Sequence, residues 1–257
     1  FEFIGKGGYG IVYSAVWLAE IFREPIALIV SAISRRNDII NSDVLGCYGL
    51  SKDPNTNSYL FVTKLCKCDL WRYLEQNFGK IDWFEKLRIL MEAANGLKTI
   101  HSAGLIHRDF HTGNILVSYD NSIYISDLGL SCYEDKNTTN SVNSGIFGVL
   151  PYIAPELLKG YPYTFASDIY SFGIIMWIIA YEELPFVKEA YDDIHLLITI
   201  YNGGHPRSDK NVFIPECYKE LMEQCWNSIP SNRPNVNELY EVLRGWYFAG
   251  INVNQFE

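Results

Sequence analysis

Three sets of residues in this chain have types and spacings suited to chemistry. The first is Gly5-Lys6-Gly7-Gly8-Tyr9-Gly10-Ile11-Val12, a G-x-G-x-x-G-x-V loop. Glycines carry no Cβ, so backbone N–H groups in such a loop can come close to phosphates. The same spacing also serves ordinary hairpin turns, and the loop alone leaves both readings open. A dinucleotide site would need a helix after the third glycine, whereas Ile11 to Trp17 reads as a strand. The second set is His107, Arg108, Asp109 and His111. Alone, a His-Arg-Asp run is a surface charge cluster, and the two histidines could tempt a metal reading. The third is Cys66-Lys67-Cys68, but no second Cys or His pair follows at zinc-like spacing, which argues against a metal there.

These groups need a scaffold, and 257 residues suffice for one large domain or two small ones. Hydrophobic residues make up 48% and charged residues 20%, a globular composition that excludes wholesale disorder. Against 30 Asp and Glu stand 21 Lys and Arg, a formal charge of −9, so phosphate-mediated nucleic-acid binding is not expected. The most apolar stretch, Phe172 to Tyr181, falls short of the roughly 17–25 residues that span a bilayer and reads as a buried helix. No membrane partner is expected either. The opening Phe-Glu-Phe-Ile-Gly lacks a basic region followed by an apolar run, so no signal peptide is expected. Without an initiator Met, the chain is expected to be trimmed from something longer. Its six cysteines, spread over a large domain, suit free thiols in a reducing compartment, and a cytoplasmic location is the expectation.

As far as about Leu65, short runs of Gly, Ile, Val and Tyr between turn residues predict strands. Beyond Asp69 the periodicity changes. Leu87, Leu90, Ala94, Leu97 and His101 recur at helical spacing, with Asp82 as N-cap and Gly104 as stop. Helical patterns return around Ala166–Tyr181, Tyr218–Trp226 and Val236–Trp246, while the polar stretch Tyr133–Gly145 predicts a mobile loop. The fold class expected is α+β: a small β-rich part followed by a larger α-rich part.

Ile106-His107-Arg108-Asp109-Phe110-His111-Thr112-Gly113-Asn114 resembles the protein-kinase catalytic loop, H-R-D-x-x-x-x-N. Ser126-Asp127-Leu128-Gly129 looks like D-F-G with Leu for Phe, and Gly148 to Glu156 is similar to the segment ending in A-P-E. Asp168-Ile169-Tyr170-Ser171-Phe172-Gly173 resembles the start of the family's long buried helix. Cys225-Trp226, Pro230 and Arg233-Pro234 match a pattern of tyrosine kinases and the tyrosine-kinase-like group. The motifs stand in the family's order over nearly the whole chain. The resemblance implies a bilobal protein-kinase-like fold, with residues 1–65 as small lobe and 66–257 as large lobe. It implies ATP and Mg2+ as cofactors and a protein substrate or signalling partner. Asp109 would accept the substrate hydroxyl proton, with Arg108 and His111 beside it, and Asn114 and Asp127 would hold magnesium. Ile4, Val12, Ala27 and Leu116 would enclose the adenine beneath Gly5, Gly7 and Gly10. Thr63 would be the gatekeeper, and the backbones of Lys64 and Cys66 would pair with the adenine edge. Glu156 and Arg233 would form a buried ion pair, and Asp168 would hold the catalytic-loop backbone.

The pattern breaks at one place. The family's third strand ends V-A-I-K, and Ile26-Ala27-Leu28-Ile29 puts Ile29 at the lysine. No lysine occurs between Lys6 and Lys52, and no glutamate between Glu24 and Glu75. Val30 to Leu45 is tight for a full helix and its connections, so Ser34–Asn41 would form one or two turns. His111 replaces the expected Lys or Ala, and Val149 the expected Thr. The expectation is a pseudokinase or impaired kinase, with an active ATP- and magnesium-dependent kinase as the alternative. Retained Asp109, Asn114 and Asp127 beside a missing lysine suggest a contiguous piece lost from an active ancestor. Thr138, Thr139, Ser141 and Ser144 are candidate phosphosites, though a polar loop explains them equally well.

Overall fold

The computed structural model describes residues 2–7, 10–18, 23–30, 43–53, 59–134, 146–187 and 192–249. Five antiparallel strands form the first part: β1 (Glu2–Gly7), β2 (Gly10–Leu18), β3 (Arg23–Val30), β4 (Cys47–Lys52) and β5 (Tyr59–Lys64), in the order β1-β2-β3-β5-β4. The glycine loop joins β1 to β2, with Gly5 paired to Val12 and Gly7 to Gly10. That is the strand–loop–strand context expected from the β-branched run after Gly10. The register shifts between Phe3 and Gly5, leaving Ile4 at an irregularity.

A second sheet of β6 (Cys68–Asp69), β8 (Ile115–Val117) and β9 (Ile123–Ile125), in the order β6-β8-β9, begins the larger, helical part. Helix α1 (Leu70–Asn77) starts at Asp69, whose carboxylate accepts from Arg72 N–H at 2.8 Å. Helix α2 (Trp83–Ser102) is capped by Asp82, which accepts from Glu85 N–H at 2.8 Å. It stops before Gly104, whose φ of 75° is the left-handed conformation a helix end requires. Leu87, Leu90, Ala94, Leu97 and His101 are all buried along its core face.

Past β7 (Leu105–Ile106), β10 (Cys132–Tyr133) and α3 (Pro155–Leu158) comes α4 (Phe165–Tyr181). From Phe172 onward this helix is apolar all round, and it is buried from Ser167 to Ala180, as a central core helix must be. Among the described residues no helix is long and apolar enough to cross a membrane. Helices α5 (Asp193–Tyr201), α6 (Glu216–Cys225) and α7 (Val236–Phe248) complete the fold.

The architecture is the expected α+β arrangement of a small sheet-containing part and a larger helical part. One boundary differs from expectation. Tyr133 pairs with Leu105, and Glu134 N–H donates to Gly104 O at 3.1 Å, so the strand runs into the stretch expected to be a loop. Residues 31–42 and 135–145 lie outside the described residues, and with them the Ser34–Asn41 turns and all four candidate phosphosites.

Candidate active site

The loop from Ile106 to Asn114 is held from beneath by one carboxylate at the start of α4. Asp168 Oδ2 accepts from His107 N–H at 2.8 Å, and Oδ1 from Arg108 N–H at 3.0 Å. His101 Nε2 donates to Oδ2 at 2.8 Å, fixing the carboxylate in turn. The loop needs this support, because Arg108 sits at φ 71°, an unfavourable conformation for a residue with a Cβ.

His107 ties the two arms of the site together. It is wholly buried; Nε2–H donates to Ser126 O at 3.0 Å and Nδ1 accepts from Asp109 N–H at 3.3 Å. Both ring nitrogens are thus used by the neutral imidazole, and burial pushes its pKa down. Ser126 N–H and Oγ–H both donate to Asn114 O, at 2.8 and 3.0 Å. These bonds set Asn114 beside Asp127.

Asp109 is buried, with its side chain held by the Asn114 amide, which donates to Oδ2 at 3.1 Å and to the Asp109 carbonyl at 2.8 Å. Oδ1 is buried without a hydrogen bond among the described residues. His111 Nε2 stands 3.5 Å from it, and His111 Nδ1 accepts from Gly113 N–H at 3.0 Å. Burial pushes the Asp109 carboxyl up, but His111, His107 and the Asn114 amide outweigh it and hold the carboxyl below its ordinary value. The result is an ionised carboxylate with Oδ2 on the Asn114 amide and Oδ1 facing His111. Asp127 adopts a left-handed φ of 58°, with Oδ1 accepting from Gly129 N–H at 3.1 Å. Asn114 Oδ1 and Asp127 Oδ2 are hard oxygen donors of the kind Mg2+ takes, one or two from protein and the rest from phosphate and water. Among the described residues no cluster of three His, Cys, Asp or Glu offers an all-protein metal site.

Arg108 points elsewhere. Its guanidinium lies 4.8 Å from the Phe147 ring centroid and 4.5 Å from that of Tyr163, with Nε buried and unpaired among the described residues. The arrangement therefore aims Arg108 at the segment before Gly148 rather than at Asn114 and Asp127. Glu156 and Arg233 form the expected buried pair, at 2.6 and 2.7 Å.

On the small-lobe side, Ala27 pairs with Ser14 and Thr63, and Ile29 pairs with Val12 and Phe61. Thr63 is buried. Leu65 to Lys67 lead from β5 to β6, with Lys67 N–H donating to Val117 O at 2.8 Å. Burial pushes the Cys66 thiol up to about 11. Two contacts had no sequence signal, because their partners come from different elements. Asn95 Nδ2 donates to Asp43 Oδ2 at 2.5 Å, and Lys64 Nζ donates to the Tyr124 hydroxyl at 2.8 Å.

The sequence profile described as protein tyrosine and serine/threonine kinase matches residues 2–243. The chain is 30% identical over 264 aligned positions to a "Probable serine/threonine-protein kinase gdt4" of Dictyostelium discoideum, covering 94% of this chain and 15% of that protein. It is 28% identical over 260 positions to a Clostridium acetobutylicum protein named as a probable serine/threonine-protein kinase, covering 94% and 38%. A "Dual specificity protein kinase shkE" of Dictyostelium discoideum is 25% identical over 272 positions, covering 99% and 38%. The chain thus spans 15 to 38% of the length of these relatives.

Proposed function

Because the chain belongs to the protein tyrosine and serine/threonine kinase family, we propose that it is a signalling domain in which family chemistry, ATP γ-phosphate transfer to a protein hydroxyl, is impaired. The observation that carries this reading is the end of β3. Ile29, between Val12 and Phe61 in register, would correspond to the family's phosphate-binding lysine, and the sequence has no lysine from 7 to 51. A charge-assisted contact to the α/β-phosphates is missing, and with it the ion pair that kinases need in place for transfer.

The domain would comprise a small lobe of residues 1–65 and a large lobe of 66–257. Ile4, Val12, Ala27, Thr63 and Leu116 would surround the adenine, with Gly5, Gly7 and Gly10 above the phosphates and the backbones of Lys64 and Cys66 on the adenine edge. Asn114 and Asp127 would hold Mg2+. When bound, Mg·ATP supplies the phosphoryl group and part of the charge neutralisation its transfer requires. Its partner would be a signalling protein, engaged in the cytoplasm.

A second reading, an active kinase, is favoured by the Asp109 geometry. Its carboxyl, held in the ionised form by His111, His107 and the Asn114 amide, is in the state that can accept a proton from a substrate hydroxyl. Incubating the purified chain with Mg·ATP and scoring autophosphorylation decides between the two. Turnover that Asp109→Asn abolishes would overturn the impaired-kinase reading. A thermal shift with Mg·ATP that disappears in Asp127→Ala would identify a domain that still binds nucleotide.

A further inference from the structure

The small lobe is attached to β9 at two adjacent residues. At Ile125 the attachment is made by backbone: Leu45 N–H donates to Ile125 O at 2.7 Å, and Ile125 N–H donates to Asp43 O at 3.0 Å. At Tyr124 it is made by side chains alone. Lys64 Nζ donates to the Tyr124 hydroxyl at 2.8 Å and lies 4.6 Å from the ring centroid, with Asp120 Oδ2 3.7 Å away. Lys64 is the last residue of β5, so this contact spans the linker Leu65–Lys67 from one lobe to the other.

Strand alternation places the contact where it matters. Ile123 and Ile125 are buried in the large-lobe core, and Tyr124 between them faces the other way. On β8, Ile115 and Val117 are buried and Leu116 faces the other way, directly cross-strand from Tyr124. Tyr124 therefore shares a sheet face with the candidate adenine floor. Asp127 follows Ile125 by two residues.

We propose that Lys64 and Tyr124 form an interlobe clasp that positions the nucleotide cleft. Holding the end of β5 on the β8–β9 hairpin fixes the linker backbone relative to Leu116 and, through β9, relative to Asp127. The Tyr124 hydroxyl accepts from the ammonium, with the electron-rich ring beside it. Asp120, 64% exposed, is the minor member. Burial lowers the Lys64 pKa, but the Tyr124 hydroxyl and Asp120 raise it further, so the charged form is the one held. An ammonium engaged on Tyr124 is also not free to replace the lysine missing at Ile29. The cleft part of this inference rests on the nucleotide-binding reading above, while the clasp itself does not.

The test uses the whole chain with Tyr124→Phe, which removes only the hydroxyl, and Lys64→Met, which keeps the stem. Amide hydrogen exchange without ligand is read first, over residues 59–67 and 115–125, with α4 as internal control. Both variants are expected to exchange about fivefold faster in these segments, with α4 unchanged and Asp120→Asn within about twofold of the parent. Unchanged exchange in Tyr124→Phe overturns the clasp, whatever Lys64→Met does. Dissociation of a fluorescent ATP analogue with Mg2+ is read second and is expected to quicken several-fold in both variants. Faster exchange with an unchanged dissociation rate overturns the positioning role. Faster exchange in a chain whose parent binds no nucleotide upholds the clasp and overturns the nucleotide reading.

Discussion

Arg233 and Glu156 meet in a two-pronged ion pair, Nη1 to Oε1 at 2.6 Å and Nη2 to Oε2 at 2.7 Å, although 77 residues separate them in the chain. The guanidinium spends its other donors on carbonyls, Nη1 on Ala166 O at 2.8 Å and Nε on Asn227 O at 2.8 Å. The pair pins α3, at the end of the segment that begins near Phe147, to the loop before α7.

Neutralising one partner leaves the other buried and charged, which costs about 3–5 kcal/mol. Glu156→Gln should therefore lower the urea midpoint sharply with an unchanged slope. The double change Glu156→Leu with Arg233→Met should cost less than either single change, because no lone charge remains. A double variant worse than both singles would contradict this account.

His107 should make stability fall in mild acid. Its folded pKa is depressed below the ordinary 6.5, so the unfolded chain takes up a proton first as pH drops. Its contribution is complete above about pH 6.5 and is lost as pH falls from there toward the folded value, at up to about 1.4 kcal/mol per pH unit. His205, also depressed by burial, adds to the same slope. Denaturation midpoints of the parent should fall from pH 7 to pH 5, and His107→Gln should show a shallower dependence.

Restoring the cation at the end of β3 should strengthen nucleotide binding. Ile29→Lys would supply an ammonium at the position that, on the proposed reading, corresponds to the family's lysine. A charge-assisted hydrogen bond contributes about 1.5–3 kcal/mol, so ATP should bind roughly tenfold or more tightly in calorimetry with Mg2+. Equal affinity in parent and variant would show that the phosphates do not lie near residue 29.

Gly173 is required by packing between α4 and α6. A Cβ there would stand 2.9 Å from Cys225 Cβ and 3.2 Å from Trp226 N. Backbone cannot yield as a side-chain tip can, so Gly173→Ala should destabilise by about 1–3 kcal/mol, seen as a lower thermal midpoint. A variant as stable as the parent would mean that the two helices can separate freely.

Much of the large lobe was legible beforehand because its signals are local. Asp82 caps α2 and Gly104 ends it since one offers a carboxylate to free N–H groups and the other tolerates positive φ. Helix α5 is hidden in the sequence for an equally local reason. Its nine residues, Asp-Ile-His-Leu-Leu-Ile-Thr-Ile-Tyr, form a short apolar run that periodicity cannot assign to helix or strand. The strand at Tyr133 has no local signal, because its pairing with Leu105 is a long-range choice that polar composition does not reveal.

The candidate site divides in the same way. Order and spacing alone marked Asp109, Asn114 and Asp127 and exposed the absence of any lysine between Lys6 and Lys52, since residue identity is all such statements need. Tertiary structure decided what those residues can do. It set Asp109 Oδ1 3.5 Å from His111 Nε2, turned Arg108 toward Phe147 and Tyr163, and put Lys64 on Tyr124. Each depends on backbone angles and on partners up to 60 residues away in the chain. Hydrogen bonds and ring contacts act only within a few ångströms, and only the fold sets which groups come that close.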